Sequence, residues 1–390
     1  MQSKLCCSTP SAQRTSPLTL NAAMTTPPLA IEPADVLAWF LPDRRPVRLE
    51  PLTQGNINDT WRIEMGRHQY VILQRLHAKV FSNAAAVMAN IRILTEHLSQ
   101  VNDPDVTFFR LVRNPEGQDH YVDTTGHCWR LLTYIDNSRT LARITTGKQA
   151  RSIGELLGRF HRLTSALDPR TLADPLPDFH ITPRYLEHYD QLSAGWNPTD
   201  DREQFCRDFI ETVRPTASLL EDSRNRLSHR VIHGDPKAAN FLFAQDEDRA
   251  ISLIDFDTVK PGLLLHDLGD CLRSCCNSRG ERQSTPEETD FHPQLFETLM
   301  SGYLHHAHDL LTAGDRELLI PATALISFEL GLRFFTDHLE GDQYFKTTRR
   351  GENLYRALVQ FHLHRSISSQ QNTLEKQLQC LLSKHDASPT

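Results

Sequence analysis

The sequence has little of what characterises membrane, secreted or nucleic-acid-binding proteins. No apolar run approaches the ~18 residues that a transmembrane helix requires. The formal net charge is −7 and the pI is near 6.2, which gives no electrostatic basis for binding nucleic acid or an anionic membrane. The eight cysteines are scattered along 390 residues and form no CxxC pair. We therefore expect reduced thiols, a cytoplasmic protein, and no nucleic-acid or membrane partner.

Two local groups of residues could suggest a metal site, namely the cysteines between 271 and 276 and the histidines between 305 and 308. Neither group has the ligand spacing of a known zinc site. We interpret the cysteines as small packing residues on a helix and the histidines as solvated or packing residues.

The chain divides by composition and periodicity into four segments. Residues 1–30 are rich in Ser, Thr, Pro, Ala and Gln and are predicted to form a disordered leader. Residues 31–135 contain several short strand patterns around one helix, residues 136–370 are mainly helical apart from a Pro- and Asp-rich loop at 168–183, and residues 371–390 form a terminal helix and tail. The last helical patterns span 293–310, 316–340 and 352–384, and the third of these continues across residue 371. A small antiparallel β-rich lobe followed by a larger helical lobe predicts an α+β fold with two lobes.

The most informative stretch is His233–Asn240, which lies between two predicted strands. It supplies Asp235, Lys237 and Asn240, and the second strand ends close to Asp255. Phosphoryl transfer from a metal-bound nucleotide needs a carboxylate near the acceptor hydroxyl, an amide and a carboxylate on Mg²⁺, and a cation for the moving phosphate. The stretch contains each of these groups.

A loop at 53–60, rich in Asn and with one glycine, connects two predicted strands. Taken alone, a loop with a single glycine favours an ordinary β-turn. The functional alternative is a lid whose backbone N–H groups face nucleotide phosphates.

Together these residues resemble the aminoglycoside phosphotransferase and choline kinase-like branch of the protein-kinase-like fold. The resemblance spans about residues 45–365 and rests on His233-Gly234-Asp235, Asn240 and Ile254-Asp255. Several further segments, including Ile254–Gly262 and Leu332–Phe345, are similar to N-acetylhexosamine 1-kinase-like sugar kinases. The resemblance implies a two-lobed fold with a small antiparallel sheet in the N-terminal lobe and a larger, mainly helical C-terminal lobe.

The resemblance also implies catalytic roles. Asp235 falls at the position of the catalytic base, and Asn240 and Asp255 fall at the Mg²⁺-binding positions. Lys237 falls where protein kinases carry a lysine that reaches the transferring phosphate.

Other positions are implied to be structural or to bind ligands. His233 and Asp267 are implied to brace the catalytic loop. The implied nucleotide-binding residues are Gly55, Asn58, Thr60, Gln74, Arg75, Asn90, Thr133, Tyr134 and Ile135. The implied substrate-binding residues are Asp270, Arg333 and Tyr344, and an exposed ion-pair ladder with Glu329 and Asp337 is the alternative for Arg333.

One departure from the family pattern concerns the third strand, which usually carries a basic residue that grips the nucleotide phosphates and pairs with a helix Glu. Here the strand offers Gln74 and Arg75, whose side chains point to opposite faces. We favour Gln74 facing the cleft and meeting Asn90 as a neutral pair, and the reverse orientation with Arg75 inside stays open.

The predicted function is transfer of the γ-phosphate of ATP or GTP, with Mg²⁺, to a hydroxyl of a small molecule. The expected acceptor is a sugar such as an N-acetylhexosamine. The alternatives are an aminoglycoside or choline-type amino-alcohol kinase and a nucleotide-binding pseudokinase. The protein is expected to be a monomer or a homodimer.

Overall fold

A computed structural model describes residues 31–52, 57–78, 80–101 and 103–386 of the protein. The predicted leader, residues 1–30, and the last four residues lie outside this range. The described chain begins with an antiparallel sheet and continues into a larger helical lobe.

The N-terminal lobe is one antiparallel sheet with two helices. Its elements are α1 (Pro33–Phe40), β1 (Arg48–Leu52), β2 (Asp59–Gly66), β3 (Gln69–Arg75), α2 (Ala84–Gln100), β4 (Leu111–Val112), β5 (Tyr121–Val122) and β6 (Cys128–Thr133). The strand order is β1-β2-β3-β6-β4, and β5 also pairs with β6. Helix α1 buries its apolar face in a small core with β2, β3 and β6, whereas the apolar face of α2 joins the main core.

The described part of the C-terminal lobe consists of helices and five short strands, β7 to β11. Its elements are β7 (Ser138–Thr140), α3 (Gly147–Thr164), α4 (Thr182–Ser193), α5 (Asp201–Val213), α6 (Leu219–Asp222), β8 (His229–Ile232), β9 (Phe241–Ala244), β10 (Ala250–Leu253), β11 (Lys260–Leu263), α7 (Leu264–Cys275), α8 (Pro293–Ala307), α9 (Ala313–Leu339), α10 (Glu352–Ser369) and α11 (Gln371–Asp386). The fold is thus α+β with two lobes, as the sequence predicts.

Two small sheets place the charged loops at the base of the N-terminal lobe. Strand β8 pairs with β11, and β9 lies between β10 and β7. Strand β8 ends immediately before His233, β9 begins immediately after Asn240, and β10 ends two residues before Asp255. The two loops are therefore held side by side, because Ile254 N–H donates to Asn240 O at 2.9 Å.

Helix α9 corrects one statement made from the sequence. By length and composition its 27 residues could cross a membrane, although no such segment was expected. However, 83% of its most apolar window is buried inside the protein. It packs against α7 and α10, so its apolar character is accounted for by the core of the C-terminal lobe.

Candidate active site

The loop between β8 and β9 is fixed by a buried carboxylate on α7. Asp267 accepts the backbone N–H groups of His233 and Gly234, each at 2.7 Å, and also contacts His161 Nε2 at 2.9 Å. Burial alone would raise the pKa of Asp267, but the hydrogen bond and charge of His161 together with the loop N–H groups hold it below its usual value. The bracing expected of Asp267 is therefore a direct contact with the loop backbone.

His233 anchors the catalytic loop through both ring nitrogens. Its Nε2 donates to Ile254 O at 2.9 Å, and its Nδ1 accepts the N–H of Asp235 at 3.2 Å. This pattern requires a neutral ring, and burial lowers the pKa of His233 in agreement with it. The loop is thus tied to the strand segment that carries Asp255.

Asp235, Lys237 and Asn240 converge within this loop. Lys237 Nζ forms a short ion pair with Asp235 Oδ2, and Asn240 Nδ2 donates to Asp235 O at 2.8 Å. Burial tends to raise the pKa of Asp235, but the charge and hydrogen bond of Lys237 lower it overall. Asp235 is therefore held as a carboxylate, the form that accepts a proton from a hydroxyl.

Asp255 has the features of a cation ligand. It has a left-handed backbone, with φ of 71°, which is uncommon for a residue other than glycine and is typical of functional sites. Burial, followed by the charge of Asp257, raises its pKa to about 7. A cation at this position would relieve the repulsion between these carboxylates.

The residues present fit a magnesium site with only two protein ligands. Among the described residues, no group of three or more His, Cys, Asp or Glu is arranged to hold a metal ion. Asn240 and Asp255 would supply two oxygen ligands, and Mg²⁺ in kinases takes its remaining ligands from phosphates and water. The donor set is thus suitable for a metal that arrives with a nucleotide.

The wall of the cleft formed by the N-terminal lobe contains a buried cation that the sequence reasoning missed. Arg130 on β6 forms a short ion pair with Asp257, and its Nε and Nη2 donate to Gln74 Oε1 at 2.9 and 2.7 Å. Gln74 Nε2 donates to Thr60 Oγ1 at 3.2 Å, and Asn58 Nδ2 donates to Asp257 Oδ2 at 2.5 Å. A single arginine within the apolar strand Cys128–Thr133 was the available signal.

The predicted pair of Gln74 and Asn90 is wrong. Asn90 instead binds backbone, donating to Ala173 O and Val259 O at 2.8 Å each and accepting Ala173 N–H at 2.9 Å. These bonds use both amide protons of Asn90 and one acceptor position of its oxygen. Gln74 is held by Arg130 instead. Asn90 is therefore placed to organise the backbone of the C-terminal lobe.

Arg75 lies on the other face of β3 from Gln74. It pairs with Asp59 at 2.7 Å, and its guanidinium lies 5.3 Å from the ring centroid of Trp129. Trp129 belongs to the small core beneath α1. Arg75 thus points away from Asp257 and the catalytic loop.

Of the remaining predicted nucleotide positions, Gly55 lies outside the described residues, and Thr133, Tyr134 and Ile135 lie at and just after the end of β6. Thr133 N–H donates to Arg110 O at 2.9 Å, and the Thr133 hydroxyl accepts Arg110 N–H at the same distance. The N–H of Thr133 is therefore used within the protein, which leaves Tyr134 and Ile135 as the segment that follows β6 at the junction between the lobes.

Arg333 occupies an aromatic box on the acceptor side. Its guanidinium lies 5.0–6.0 Å from the ring centroids of Phe179, Tyr185, Tyr344 and Phe345. Within the described part of the chain it has no hydrogen bond or salt bridge. Burial alone would lower its pKa, but the phenolic groups of Tyr185 and Tyr344, followed by the carboxylates of Glu329 and Asp235, raise it.

The alternative ion-pair ladder on α9 is not formed. Glu329 binds His180 and Thr182, and Asp337 accepts the backbone N–H groups of Gln343, Tyr344 and Phe345 at 2.7–3.0 Å. Both carboxylates are therefore engaged elsewhere. Asp337 instead shapes the loop that brings Tyr344 to Arg333.

Asp270 borders the same region. Its Oδ1 accepts Arg273 Nε at 2.8 Å, while its buried Oδ2 has no hydrogen-bond partner. Burial raises the pKa of Asp270 although Arg273 opposes the effect. An unpartnered buried carboxylate oxygen is costly unless a ligand satisfies it.

Comparison with protein families finds one match that covers most of the elements described above. Residues 48–300 match the model of the phosphotransferase enzyme family. This range includes the N-terminal sheet, the catalytic loop and α7.

Solved structures of similar fold extend over most of the chain. An aminoglycoside phosphotransferase from Alicyclobacillus acidocaldarius shares 14% identity with a TM-score of 0.59, covering 91% of this chain and 97% of its own. A microcompartment-associated aminopropanol kinase shares 17% identity with a TM-score of 0.57, covering 85% and 94%. An amicoumacin kinase in complex with AMP-PNP and Ca²⁺ shares 15% identity with a TM-score of 0.50, covering 87% and 90%. At these identities the likeness shows the fold alone.

Proposed function

Because the chain belongs to the phosphotransferase enzyme family and is therefore a phosphotransferase that acts on hydroxyl groups of small molecules, we propose that its acceptor is a sugar of the N-acetylhexosamine type. The phosphoryl donor is ATP or GTP. The observation that carries the choice of acceptor is Arg333, a half-buried cation that lies between aromatic rings and forms no salt bridge with any described carboxylate.

Arg333 favours a neutral, oxygen-rich acceptor. A choline-type or aminoglycoside acceptor carries positive charge, and an aromatic box recognises such a cation by cation–π contacts. Here the box already contains the guanidinium of Arg333, which would repel a second cation. A guanidinium donates hydrogen bonds and accepts none, so it suits the hydroxyl and amide oxygens of a sugar.

In the proposed mechanism the catalytic loop between β8 and β9 supplies the base, the cation and one metal ligand. Asp235 accepts the hydroxyl proton as the acceptor oxygen attacks the γ-phosphorus; the bond from the γ-phosphorus to the β–γ bridging oxygen breaks, and the nucleoside diphosphate leaves. Lys237, paired with Asp235, stabilises charge on the transferring phosphoryl group. Asn240 and Asp255 would hold Mg²⁺, which supplies neutralisation of the phosphate oxygens when it is bound.

An amino-alcohol acceptor is the second candidate. The unpartnered Oδ2 of Asp270 favours it, because a buried carboxylate oxygen could receive an ammonium group. The similar fold of an aminopropanol kinase is compatible with this candidate. The pairing of Asp270 with Arg273 weakens it, since the carboxylate charge is already compensated.

Coupled release of ADP or GDP across a panel of sugars, amino alcohols and aminoglycosides tests the proposal. We expect turnover with an N-acetylhexosamine and none with amines. Asp235→Asn should lower kcat by about 10²–10⁴-fold, the usual contribution of a general base. Asp246→Asn, in the exposed turn between β9 and β10, is the matched control and should match the wild type. Turnover confined to amines would contradict the sugar acceptor, and residual activity of Asp235→Asn within about tenfold of the wild type would contradict the role of Asp235.

A further inference from the structure

A segment at residues 173–182, here named the strap, crosses the base of the cleft just before α4. Lys260 Nζ holds it by contacts to Asp174 Oδ2 at 2.9 Å, Leu176 O at 3.3 Å and Phe179 O at 3.1 Å. Lys260 is itself buried. The strap is thus fastened to β11, although its sequence predicted only a loop.

His180, near the end of the strap, bridges two parts of the active site. Its Nε2 contacts Gly234 O at 2.7 Å and its Nδ1 contacts Glu329 Oε1 at 2.9 Å. A carbonyl only accepts hydrogen bonds, and so does an ionised carboxylate, so the two contacts together require a proton on each ring nitrogen. Burial would lower the pKa of His180, but the charge and hydrogen bond of Glu329 raise it overall.

Both peptide groups that flank Gly234 are therefore held by hydrogen bonds. Its N–H donates to Asp267 Oδ1 at 2.7 Å and its carbonyl accepts from His180. Its φ is +87°, and a Cβ at this position would lie 2.6 Å from Thr258 O. Gly234 precedes Asp235 directly, so its orientation sets that of the proposed catalytic base.

The partners of His180 connect this restraint to the acceptor side. Glu329 lies one helical turn before Arg333 on α9, and residues at i and i+4 share a helix face. Phe179, adjacent to His180, lies 5.1 Å from the Arg333 guanidinium. The strap therefore contacts both the aromatic box around Arg333 and the catalytic loop.

We propose that His180 is a positioning residue that couples the acceptor-binding face of α9 to Asp235 through Glu329 and Gly234. This inference rests on the proposed function. A backbone φ of 66° at His180 accords with it, because left-handed residues other than glycine persist where their surroundings determine them, often at functional sites. The charged hydrogen bond to Gly234 O lies in a buried site, where it is stronger than in water.

The test compares His180→Asn with Asp178→Asn. Asparagine tolerates the left-handed backbone of both positions but is too short at 180 to reach Gly234 O. Asp178 has a φ of 68° on the same strap, and its exposed side chain makes no contact with the catalytic loop. We expect His180→Asn to lower kcat by about 10–100-fold, because small displacements of a reacting group cost that much. The KM for nucleotide should stay at the wild-type value, and Asp178→Asn should match the wild type throughout.

Hydrogen–deuterium exchange of the peptide covering residues 230–240 gives a readout that does not require turnover. His180→Asn should accelerate exchange in this peptide and Asp178→Asn should not.

If the wild type turns over but His180→Asn matches it in kcat and in exchange, the positioning role is contradicted. If the wild type phosphorylates no acceptor, the proposed function fails, and exchange alone then decides the role of His180. If His180→Asn does not fold, Glu329→Gln retains the shape of the pair and should show a smaller loss of kcat, whereas an unchanged kcat would contradict the coupling.

Discussion

At the scale of single residues, the pair of Arg130 and Asp257 is the most consequential contact that joins the two lobes. Both side chains are at most 3% exposed. Arg130 pairs with Asp257, whose charge helps to raise the pKa of Asp255, and the charge of Arg130 opposes that rise. Arg130 also holds Gln74 on β3, the strand on which the family resemblance implies a basic residue. The cation of this wall therefore comes from β6, because Gln74 and Arg130 are register partners in the sheet.

Arg130→Met should destabilise the protein by about 3–5 kcal/mol, because removing one partner leaves a buried charge uncompensated. Urea unfolding followed by fluorescence measures the change. The double variant Arg130→Met/Asp257→Leu removes both charges and should recover part of the loss. A single variant as stable as the wild type would contradict the assignment of a compensating role to Arg130. The KM for nucleotide should also rise in Arg130→Met, because Arg130 holds Asp257 and Asp257 in turn accepts a hydrogen bond from Asn58.

Residues close in sequence were predictable, and residues that meet through the fold were not. Asp235, Lys237, Asn240 and Asp255 lie within one stretch bounded by strands, so their proximity follows from local chain geometry. Arg130 is 127 residues from Asp257, and His180 is 149 residues from Glu329. No periodicity or spacing connects such pairs. The error at Asn90 has the same origin, since its backbone partners lie on the strap and beside β11.

At the scale of elements, the crossing of α3 and α8 depends on glycine. A Cβ at Gly154 would lie 1.9 Å from Leu299 O, and one at Gly302 would lie 2.2 Å from Arg151 O. The two backbones therefore approach more closely than any side chain allows. Helix α3 also carries His161, the partner of Asp267, so this close approach supports the brace of the catalytic loop.

Gly302→Ala should lower the free energy of unfolding by about 1–3 kcal/mol or more, because the added methyl group overpacks a helix contact made of rigid backbone. Gly147→Ala, at the start of α3, is the control. Its Cβ would lie 3.5 Å from Thr298 Oγ1, an ordinary contact, and alanine favours helix. We expect Gly147→Ala to be neutral or stabilising in thermal unfolding. Equal melting temperatures for the two variants would show that the crossing can relax.

The same elements show where sequence patterns succeed. The helical spacing of apolar residues predicted a helix at 316–340, and α9 spans Ala313–Leu339. A single helix predicted from Glu352 to Lys384 is instead two, because α10 ends at Ser369 and α11 begins at Gln371. Periodicity identifies a buried helix face. It does not locate a turn between two helices that share that periodicity.

At the scale of the whole molecule, Asn58 joins both lobes. Its side chain donates to Asp257 beside the proposed metal position, and its carbonyl accepts Lys346 Nζ at 3.1 Å. Lys346 follows Tyr344 and Phe345 in the connection between α9 and α10. The end of the predicted phosphate loop is therefore fastened both to the metal side and to the acceptor side of the C-terminal lobe.

Lys346→Met tests whether this second link aligns the nucleotide. Lys346 is 46% exposed and lies 3.5 Å from Asp59, so its contribution to the free energy of unfolding should stay below about 1 kcal/mol. If the link nevertheless orders the loop over the phosphates, its loss should raise the KM for nucleotide by about three- to tenfold, which corresponds to roughly 0.7–1.4 kcal/mol. The KM for the acceptor should change less, and added salt should reduce the difference between wild type and variant because exposed charges are screened.

The control is Lys148→Met. It removes the same charge from an exposed position on α3, away from the cleft, and should behave as the wild type. An unchanged nucleotide KM in Lys346→Met would mean that Asp257 and the N–H of His77, which donates to Asn58 Oδ1 at 3.1 Å, suffice to position Asn58.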